Sequence, residues 1–295
     1  MSFKSGFVTV IGRPNVGKST LLNKVIGEKI SIISDKPQTT RNKIQMIYTD
    51  DESQIIFLDT PGIQMPKNVL GEYMLKVSKS TLEDVDVITM LVEVGEAFGK
   101  LDSYVINEIK DIDTPKILLI NKIDLETEDN LSELIKKYEA KGIFDEIIPI
   151  SALNSENIEV FMEKLKERLP EGPMYYPDDM ITDQPERAII QELIREKILL
   201  NMHEEIPHGV AVEVISVKQR EGRNLIDVEA NIHVEKKSHK PMIIGKGGSM
   251  IQKVGTESRI DIERLMDTKV NLQLWVKITK DWRSKEDRVK GFGYK

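Results

Sequence analysis

Near its amino terminus the chain reads Gly12-Arg13-Pro14-Asn15-Val16-Gly17-Lys18-Ser19, between the apolar run 7–11 and the helical run 20–25. Two glycines with four residues between them, followed by Lys and Ser, have the spacing of a P-loop. Backbone N–H groups of such a loop wrap a phosphate chain at a helix N-terminus, whose dipole favours negative charge. The pattern therefore predicts a nucleotide site in which Lys18 reaches the β and γ phosphates and Ser19 binds Mg²⁺. The residues predicted to contact nucleotide here are Gly12, Arg13, Pro14, Asn15, Val16, Gly17, Lys18, Ser19 and Thr20.

The composition fits a soluble globular protein of two domains. With 295 residues, 40% of them hydrophobic and 31% charged, the chain is long enough for two cores. It contains no cysteine, which excludes disulfides, thiolate metal sites and cysteine nucleophiles. The amino terminus has no charged-then-apolar leader, and the longest apolar stretch, 85–94, is interrupted by Asp86 and Glu93. We therefore expect a cytoplasmic protein without membrane-spanning segments.

Charge is distributed unevenly along the chain. The net charge is −7, yet residues 1–180 contain 21 Lys and Arg against 31 Asp and Glu, whereas residues 236–295 contain 15 against 7. An acidic domain is unsuited to a polyanion. We expect nucleic acid to bind near the carboxyl-terminal end.

Strand and helix patterns alternate through residues 1–170, which predicts an α/β P-loop domain with a mostly parallel sheet and helices on both faces. The predicted strands are 7–11, 44–48, 54–58, 85–94, 117–120 and 147–150, and the predicted helices lie near 20–25, 69–83, 102–110, 131–140 and 157–169. The strands 44–48 and 54–58 flank a short turn, so one edge strand is expected to be antiparallel. Residues 171–184, rich in proline and acids, suit a linker.

Residues 185–295 follow a different pattern. The predicted elements are a helix at 187–203, strands at 210–217, 225–234 and 270–278, and helical stretches from Ser249 and from Ser258. The short apolar run 241–244 leads into Gly245-Lys246-Gly247-Gly248. The order α-β-β-α-α-β predicts an α+β domain.

A second candidate loop of the nucleotide site is Asp59-Thr60-Pro61-Gly62, at the end of the third strand. A carboxylate at that strand tip can hold Mg²⁺ through water, while the Gly62 N–H senses a γ-phosphate. In the loop 30–41, either Thr39 or Thr40 can complete the Mg²⁺ shell. Thr40, which directly precedes Arg41, is the favoured candidate.

A third loop, Asn121-Lys122-Ile123-Asp124, selects the base. Asp124 can accept hydrogen bonds from N1–H and the exocyclic amine of guanine, whereas adenine offers no such pair of donors. Sites of this kind discriminate by factors of about 10⁴, so the predicted ligand is GTP or GDP. Asn121 is expected to brace the loop and the alkyl stem of Lys122 to lie over the base. In Ser151-Ala152-Leu153, the Ala152 N–H is expected to contact guanine.

Together these motifs resemble the five guanine-nucleotide motifs of the TRAFAC GTPases. The position after Gly62, where Ras-like enzymes place a water-orienting Gln, is Ile63. The resemblance is to the subgroup with an apolar residue here, so we expect slow intrinsic hydrolysis, on the order of 10⁻⁴ to 10⁻² s⁻¹. In relatives with Asn-x-Gly-Lys-Ser the Asn helps to hold K⁺, a role that would fall to Asn15. The residues expected to act in hydrolysis are Lys18, Thr40, Asp59 and Gly62, and those of the second loop expected to contact nucleotide are Asp59, Thr60, Pro61, Gly62 and Ile63.

The tetrapeptide at 245–248 is a G-x-x-G loop in an α-β-β-α-α-β setting, which resembles a type II KH domain. In such domains the bare loop backbone closes on the sugar-phosphate chain while an apolar groove takes about four unpaired bases. A helix-breaking turn in an unrelated domain is the alternative. The residues predicted to contact single-stranded RNA are Gly245, Lys246, Gly247, Gly248 and Lys253.

The chain as a whole resembles the Era family of bacterial GTPases. The resemblance rests on the P-loop sequence, on Gln-Thr-Thr-Arg at 38–41, on Asp-Thr-Pro-Gly, and on a KH domain ending in Trp-Val-Lys-Ile-Thr-Lys-Asp-Trp-Arg at 275–283. It implies a factor in small ribosomal subunit maturation that binds near the 3′ end of the 16S rRNA. It also implies peripheral association with the inner face of the cell membrane, and we expect a monomer.

We expect the γ-phosphate to order residues 30–43 and 59–68 and so change how the KH domain presents its groove. Two other functions are also compatible with the sequence. A structural RNA-binding module with a stabilising, rarely hydrolysed nucleotide is the alternative that Ile63 permits. A P-loop kinase or ATPase is disfavoured by Asp124 and by the lack of a lid for a second substrate.

Overall fold

The computed structural model describes residues 2–95, 99–202 and 206–294. Contacts between residues divide the chain into two units. The first comprises Met1–Ser31, Thr40–Met65 and Met74–Asp183, and the second comprises Ile32–Thr39, Pro66–Tyr73 and Gln184–Lys295. The stretch predicted as a linker therefore groups with the first unit up to Asp183. Two short segments of the amino-terminal half group with the second unit.

The first unit contains six strands interleaved with helices. The strands are β1 (Lys4–Ile11), β2 (Ile44–Thr49), β3 (Ser53–Asp59), β4 (Val87–Glu93), β5 (Lys116–Asn121) and β6 (Glu146–Pro149). The helices are α1 (Lys18–Ile26), α2 (Val69–Ser80), α3 (Lys100–Ile109), α4 (Glu128–Glu139) and α5 (Ile158–Arg168). Of α2, only the part from Met74 onward is assigned to this unit.

The sheet of this unit has the strand order β2-β3-β1-β4-β5-β6. β2 runs antiparallel to β3, with Ile47 opposite Ile56, and the other pairs are parallel. The predicted antiparallel edge strand is thus confirmed. The central strands are apolar runs because both faces of the sheet are covered, one by a cluster around Leu21 and Phe161 and the other by a cluster around Met90. In a parallel sheet the carboxyl ends of the strands meet at one edge, where the candidate loops emerge.

The predicted linker lies along the edge strand of the sheet. The Gln54 side-chain oxygen accepts hydrogen bonds from the backbone N–H groups of Tyr175 and Tyr176, at 2.7 and 2.9 Å. Further along, the Ile47 N–H donates to the carbonyl of Ile181 at 2.9 Å. Ile181 therefore satisfies a backbone N–H at the edge of β2 that would otherwise be unpaired, while Tyr175 and Tyr176 are bonded to a side chain of β3.

The second unit has the element order that the sequence predicts. Its elements are α6 (Glu186–Asn201), β7 (Ala211–Gln219), β8 (Leu225–Val234), α7 (His239–Ile244), α8 (Ser249–Met266), β9 (Lys269–Ile278) and α9 (Glu286–Gly291). β8 is the central strand, antiparallel to β7 and parallel to β9. Residue 203, at the end of the predicted helix 187–203, lies outside the described residues.

The helix boundaries around the G-x-x-G loop differ from the predicted ones. The helical stretches from Ser249 and from Ser258 form one continuous helix, α8, and the other helix of the order is the short α7 before the loop. Ser258 does not start a helix because it lies one turn from Val254 and from Ile262, on the buried face of α8.

The carboxyl-terminal segment adds the unpredicted helix α9 and a ring cluster. Trp282 is fully buried, and its indole N–H donates to the carbonyl of Gly209 at 2.9 Å. The rings of Phe292 and Tyr294 lie 5.2 and 6.0 Å from the Trp282 ring. Within the described ranges, no helix has both the length and the apolar character needed to cross a bilayer.

Candidate functional site

The phosphate-loop sequence forms the turn between β1 and α1. Gly17 caps α1 with φ 103° and ψ 18°, a left-handed conformation. A Cβ at this position would lie 2.2 Å from Nδ2 of Asn121. The torsion and the close approach together require glycine, and they leave the first N–H groups of α1 facing the loop. This is the geometry of an anion site at a helix N-terminus.

Lys18 is buried at the start of α1 and folds back over the loop. Its Nζ donates to the carbonyls of Gly12 and Arg13, at 3.3 and 3.2 Å. Burial lowers the pKa of Lys18 to about 8, against the raising effect of the Asp59 carboxylate. A phosphate in the loop would add negative charge beside this ammonium group and favour its charged form.

A cluster of oxygen atoms lies beside the phosphate loop. One carboxylate oxygen of Asp59, Oδ2, accepts from the hydroxyls of Ser19 at 2.8 Å and Ser31 at 2.6 Å. The hydroxyls of Ser19 and Thr40 are 3.1 Å apart. Burial raises the pKa of Asp59, although the two serine hydroxyls and the Lys18 charge oppose that rise. The structure thus brings together the three residues predicted to serve Mg²⁺.

These residues fit a magnesium ion. Mg²⁺ prefers carboxylate and hydroxyl oxygens and usually takes the remaining ligands from water and substrate phosphates. The second carboxylate oxygen of Asp59, Oδ1, is buried and has no hydrogen-bond partner within the described part of the chain. A metal-bound water would satisfy this buried oxygen, which otherwise carries a desolvation cost.

Asn121 joins three loops at the carboxyl edge of the sheet. Its amide nitrogen donates to the carbonyl of Val16 at 2.8 Å, and its amide oxygen accepts from the Ala152 N–H at 2.9 Å. The Ala152 N–H, predicted to contact guanine, thus donates to Asn121 in this structure. Beside it, Asp124 accepts from the Ser151 hydroxyl at 2.5 Å. The phosphate loop, the Asn-Lys-x-Asp loop and the Ser-Ala-Leu loop are therefore held as one group.

Lys122 is positioned by its own backbone and by the phosphate loop. Its φ is 67°, and its Nζ donates to the Asn15 carbonyl at 3.1 Å. The next residue, Ile123, donates its N–H to the Ile150 carbonyl at 3.3 Å. Leu153 is 68% exposed at the far side of the Ser-Ala-Leu loop. The Lys122 ammonium group thus lies against the phosphate loop, and the sequence predicts that its alkyl stem covers the base plane.

The Asp-x-x-Gly loop packs against the phosphate loop. A Cβ on Gly62 would lie 2.7 Å from the backbone of Pro14. The Thr60 hydroxyl donates to the Val10 carbonyl at 2.8 Å, and the Pro61 carbonyl accepts from Ser78. Ile63 is fully buried in the apolar core, and its N–H donates to the Gly12 carbonyl at 3.0 Å. The Ile63 side chain therefore packs inside the fold rather than at the phosphate loop.

Two residues of the site were missed by sequence reasoning. The Asn23 oxygen accepts from the N–H groups of Ile30 and Ser31, which fixes the Ser31 hydroxyl against Asp59. Asn23 lies inside α1 and Ser31 in the loop after it, and neither belongs to a motif, so no sequence signal distinguishes them from ordinary helix and loop residues.

The middle of the predicted RNA loop, Lys246 and Gly247, is exposed to solvent, whereas Gly245 packs closely against Met250. The loop connects α7 to α8, an 18-residue helix whose N-terminus it caps through Gly248. Gly247 has φ 60°, and no heavy atom would lie within 4 Å of a Cβ built there. Lys246 and Lys253 are exposed beside the loop. Bare backbone, a helix N-terminus and two exposed cations together suit a phosphate chain.

Comparison with known proteins agrees with this geometry. A family model described as 50S ribosome-binding GTPase matches residues 7–122, and one described as KH domain matches residues 205–283. The chain is 54% identical to GTPase Era of Alkaliphilus metalliredigens and 56% identical to GTPase Era of Alkaliphilus oremlandii, in each case over 294 residues and 100% of both chains. The chain belongs to the Era family of GTPases. The fold class and the family predicted from the motifs are confirmed, and as an Era-family member the chain is a GTP-hydrolysing enzyme.

Solved structures of Era proteins share this whole fold. A crystal structure of Era in complex with MgGDPNP and nucleotides 1506–1542 of 16S ribosomal RNA superposes with a TM-score of 0.96, at 40% identity and 99% coverage of both chains. An Aquifex aeolicus Era variant bound to GDP.AlF4⁻ gives the same TM-score, identity and coverage. The similarity extends over both units of the Era-family chain.

Proposed function

We propose that this Era-family chain is a GTP-controlled binder of single-stranded RNA at the 3′ end of the small-subunit ribosomal RNA, acting in maturation of the small ribosomal subunit. The observation that carries the proposal is the pairing of a guanine-nucleotide site, held together by Asn121, with an open G-x-x-G loop. A 40% identical Era protein holds MgGDPNP and a 16S rRNA fragment together, which supports both ligands.

In the nucleotide site each group has one task. The Lys18 ammonium neutralises charge on the β and γ phosphates, while the loop backbone binds their oxygens. Ser19 and Thr40 would hold Mg²⁺ directly, with Asp59 holding a metal-bound water. The bound ion would supply positive charge that stabilises the negative charge of the phosphates. We expect the Gly62 N–H to bind a γ-phosphate oxygen and so to respond to the presence of that group.

Hydrolysis in this site is slow because Ile63 offers no hydrogen bond to an attacking water. We expect a single-turnover rate on the order of 10⁻⁴ to 10⁻² s⁻¹, as for unassisted small GTPases. Asn15 is the candidate K⁺ ligand, and a rate that is higher in K⁺ than in Na⁺ would support it. Equal rates in the two salts would remove K⁺ from the mechanism.

In the RNA site, the backbone of residues 245–248 grips the sugar-phosphate chain, and Lys246 and Lys253 neutralise phosphates. Contacts of this kind fix the strand without reading its bases, so base choice falls to the groove beside the loop. We place the protein in the cytoplasm as a monomer on the small subunit. Peripheral contact with anionic lipid on the inner face of the cell membrane is a further part of the proposal.

The proposal is tested by a binding cycle with two arms. RNA affinity is measured with GDP and with a non-hydrolysable GTP analogue, using an oligonucleotide of the 16S rRNA 3′ end. Nucleotide affinity is then measured with and without that RNA. If the nucleotide controls RNA binding, both arms must give the same factor. Affinities that are independent of each other would reduce the protein to a tether for RNA with a stabilising nucleotide.

A further inference from the structure

A chain of alternating charges runs behind the nucleotide loops of the first unit. Arg13, in the phosphate loop, places Nη2 3.0 Å from Oε1 of Glu93 and Nε 3.5 Å from Oδ1 of Asp102. The other oxygen of Glu93 pairs with Nζ of Lys122. Arg13 and Asp102 are buried, and the Glu93 side chain is only 16% exposed. The order is therefore Asp102, Arg13, Glu93 and Lys122, with one carboxylate shared between two loops.

The position of Glu93 follows from the strand order. β4 lies between β1, which leads into the phosphate loop, and β5, which leads into the base loop. Glu93 is the last residue of β4 and lies beside Asn121 in the strand register. A side chain at this strand end can therefore reach both loops, and the Glu93 carboxylate contacts Arg13 in one and Lys122 in the other.

We propose that Glu93 is a positioning residue for guanine nucleotide, acting through Lys122. Its carboxylate and the Asn15 carbonyl hold the Lys122 ammonium at the side of the phosphate loop. The alkyl stem is thereby drawn across the place predicted for the base plane. The same carboxylate also pairs with Arg13, whose Nη2 lies 3.0 Å from Oε1 of Glu93.

This inference rests on the proposed guanine-nucleotide site. It explains how the phosphate loop and the Asn-Lys-x-Asp loop keep their relative positions. Without the Glu93 charge, two cations would face each other at the junction of the loops. Lys122 would lose a charge-assisted hydrogen bond and would be free to leave the base plane. Binding of GDP and GTP should weaken equally because Lys122 is predicted to contact the base, which the two nucleotides share.

The test compares Glu93→Gln with Glu146→Gln in the full-length protein. Glu146 is a matched control because it also pairs with an arginine, at 2.9 Å from Arg168, on another strand of the same sheet. Dissociation constants and dissociation rates are measured with fluorescent GDP and a fluorescent GTP analogue. Glu93→Gln should weaken both nucleotides about 10- to 100-fold, mainly through faster dissociation. Glu146→Gln should change both by less than about twofold.

A double-variant cycle separates positioning from general stability. Lys122→Met keeps an apolar stem but removes the ammonium group. In that background Glu93→Gln should change nucleotide affinity by less than about threefold, because the partner through which it acts is gone. A full 10-fold loss in that background would overturn the inference. Equal binding by wild type and Glu93→Gln would also overturn it and leave the proposed function intact, whereas a wild type that binds no guanine nucleotide would overturn both.

A conservative substitution, Glu93→Asp, tests the inference if the Glu93→Gln protein fails to fold. Glu93→Asp keeps the charge but is one methylene shorter, so it can hold only one of its two cations closely. It should fold and recover part of the lost affinity. A Glu93→Asp protein with wild-type affinity and dissociation rate would show that bridging of the two loops has no role.

Discussion

The two ligand loops of this molecule are built in opposite ways. In the first unit, Gly17 is enclosed: an added Cβ would lie 2.2 Å from the side chain of Asn121, which is itself bonded to two neighbouring loops. In the second unit, Gly247 is open, with no heavy atom within 4 Å of an added Cβ. Lys246 beside it is exposed.

The difference reflects what each loop has to recognise. A site that selects one base must hold donors and acceptors in fixed places before the ligand arrives, so its polar groups are bonded to each other. A loop that grips a sugar-phosphate chain needs free backbone and positive charge, which any base sequence can satisfy. We infer that the nucleotide site gains its specificity from polar groups fixed by mutual hydrogen bonds, and that the proposed RNA loop can adapt to any base sequence because its central backbone is exposed.

The largest expected effect tests the specificity of the enclosed site. Asp124→Asn should lower GTP affinity by about 10³- to 10⁴-fold, because an amide cannot accept both hydrogen bonds from guanine. The variant should instead bind xanthosine nucleotides, which present the complementary groups. Competition binding with GTP, ATP and xanthosine triphosphate measures this. The control is Asp129→Asn, an exposed acid in the first turn of α4, and undiminished GTP binding by Asp124→Asn would contradict the assignment.

The second-largest expected effect tests how closely Asn121 encloses Gly17 of the phosphate loop. Gly17→Ala should lower GTP affinity at least about 100-fold, because both the left-handed torsion and the contact with Asn121 must give way. Gly142→Ala is the matched control, since Gly142 has φ +64° but open space around it. The control should lose about 1 kcal/mol of unfolding free energy and keep its GTP affinity. Comparable GTP affinities for the two variants would remove the contrast between the loops.

A smaller effect tests the open loop. Gly247→Asp should weaken RNA binding about 10-fold, because a carboxylate would meet the phosphate chain, and should leave GTP affinity within about twofold. Gly222→Asp is the control: it lies in the β7–β8 turn with φ +70° and equally open space. Fluorescence anisotropy with a labelled oligonucleotide distinguishes the two. RNA binding that responds equally to both changes would place the RNA elsewhere.

The smallest effect concerns the stability of the second unit. His233 bonds to Thr279 and Glu213, and burial lowers its pKa below the ordinary 6.5, although Glu213 opposes this. As the pH falls, His233 therefore takes up a proton more readily in the unfolded chain than in the native protein. The free energy of unfolding should decrease as the pH drops below about 6.5. Urea unfolding at pH 7.5 and 5.5 should show a smaller loss for His233→Gln than for wild type. An identical pH dependence would mean that His233 titrates normally in the fold.

Much of the fold and of the site could be predicted from local sequence. Apolar periodicity and short motifs predict the sheet with its antiparallel edge strand, the order of the first six elements of the second unit, and the grouping of the three loops. The division of α8 at Ser258 was wrong because a serine on a buried helix face reads as a helix start when its partners are unknown. The pairing of Ile181 with β2 and the helix α9 lacked any local signal.

The amino-acid sequence by itself determined the chemistry of the two ligands. Phosphate loops, glycine torsions and the Asn-Lys-x-Asp spacing are encoded within a few residues, because backbone geometry and base recognition depend on neighbours in the chain. Only the tertiary structure decided which distant groups support that chemistry: Ser31 against Asp59, and Glu93 between Arg13 and Lys122. Hydroxyls and charges act on whatever lies within a few ångströms, and the packing of the sheet brings those partners together.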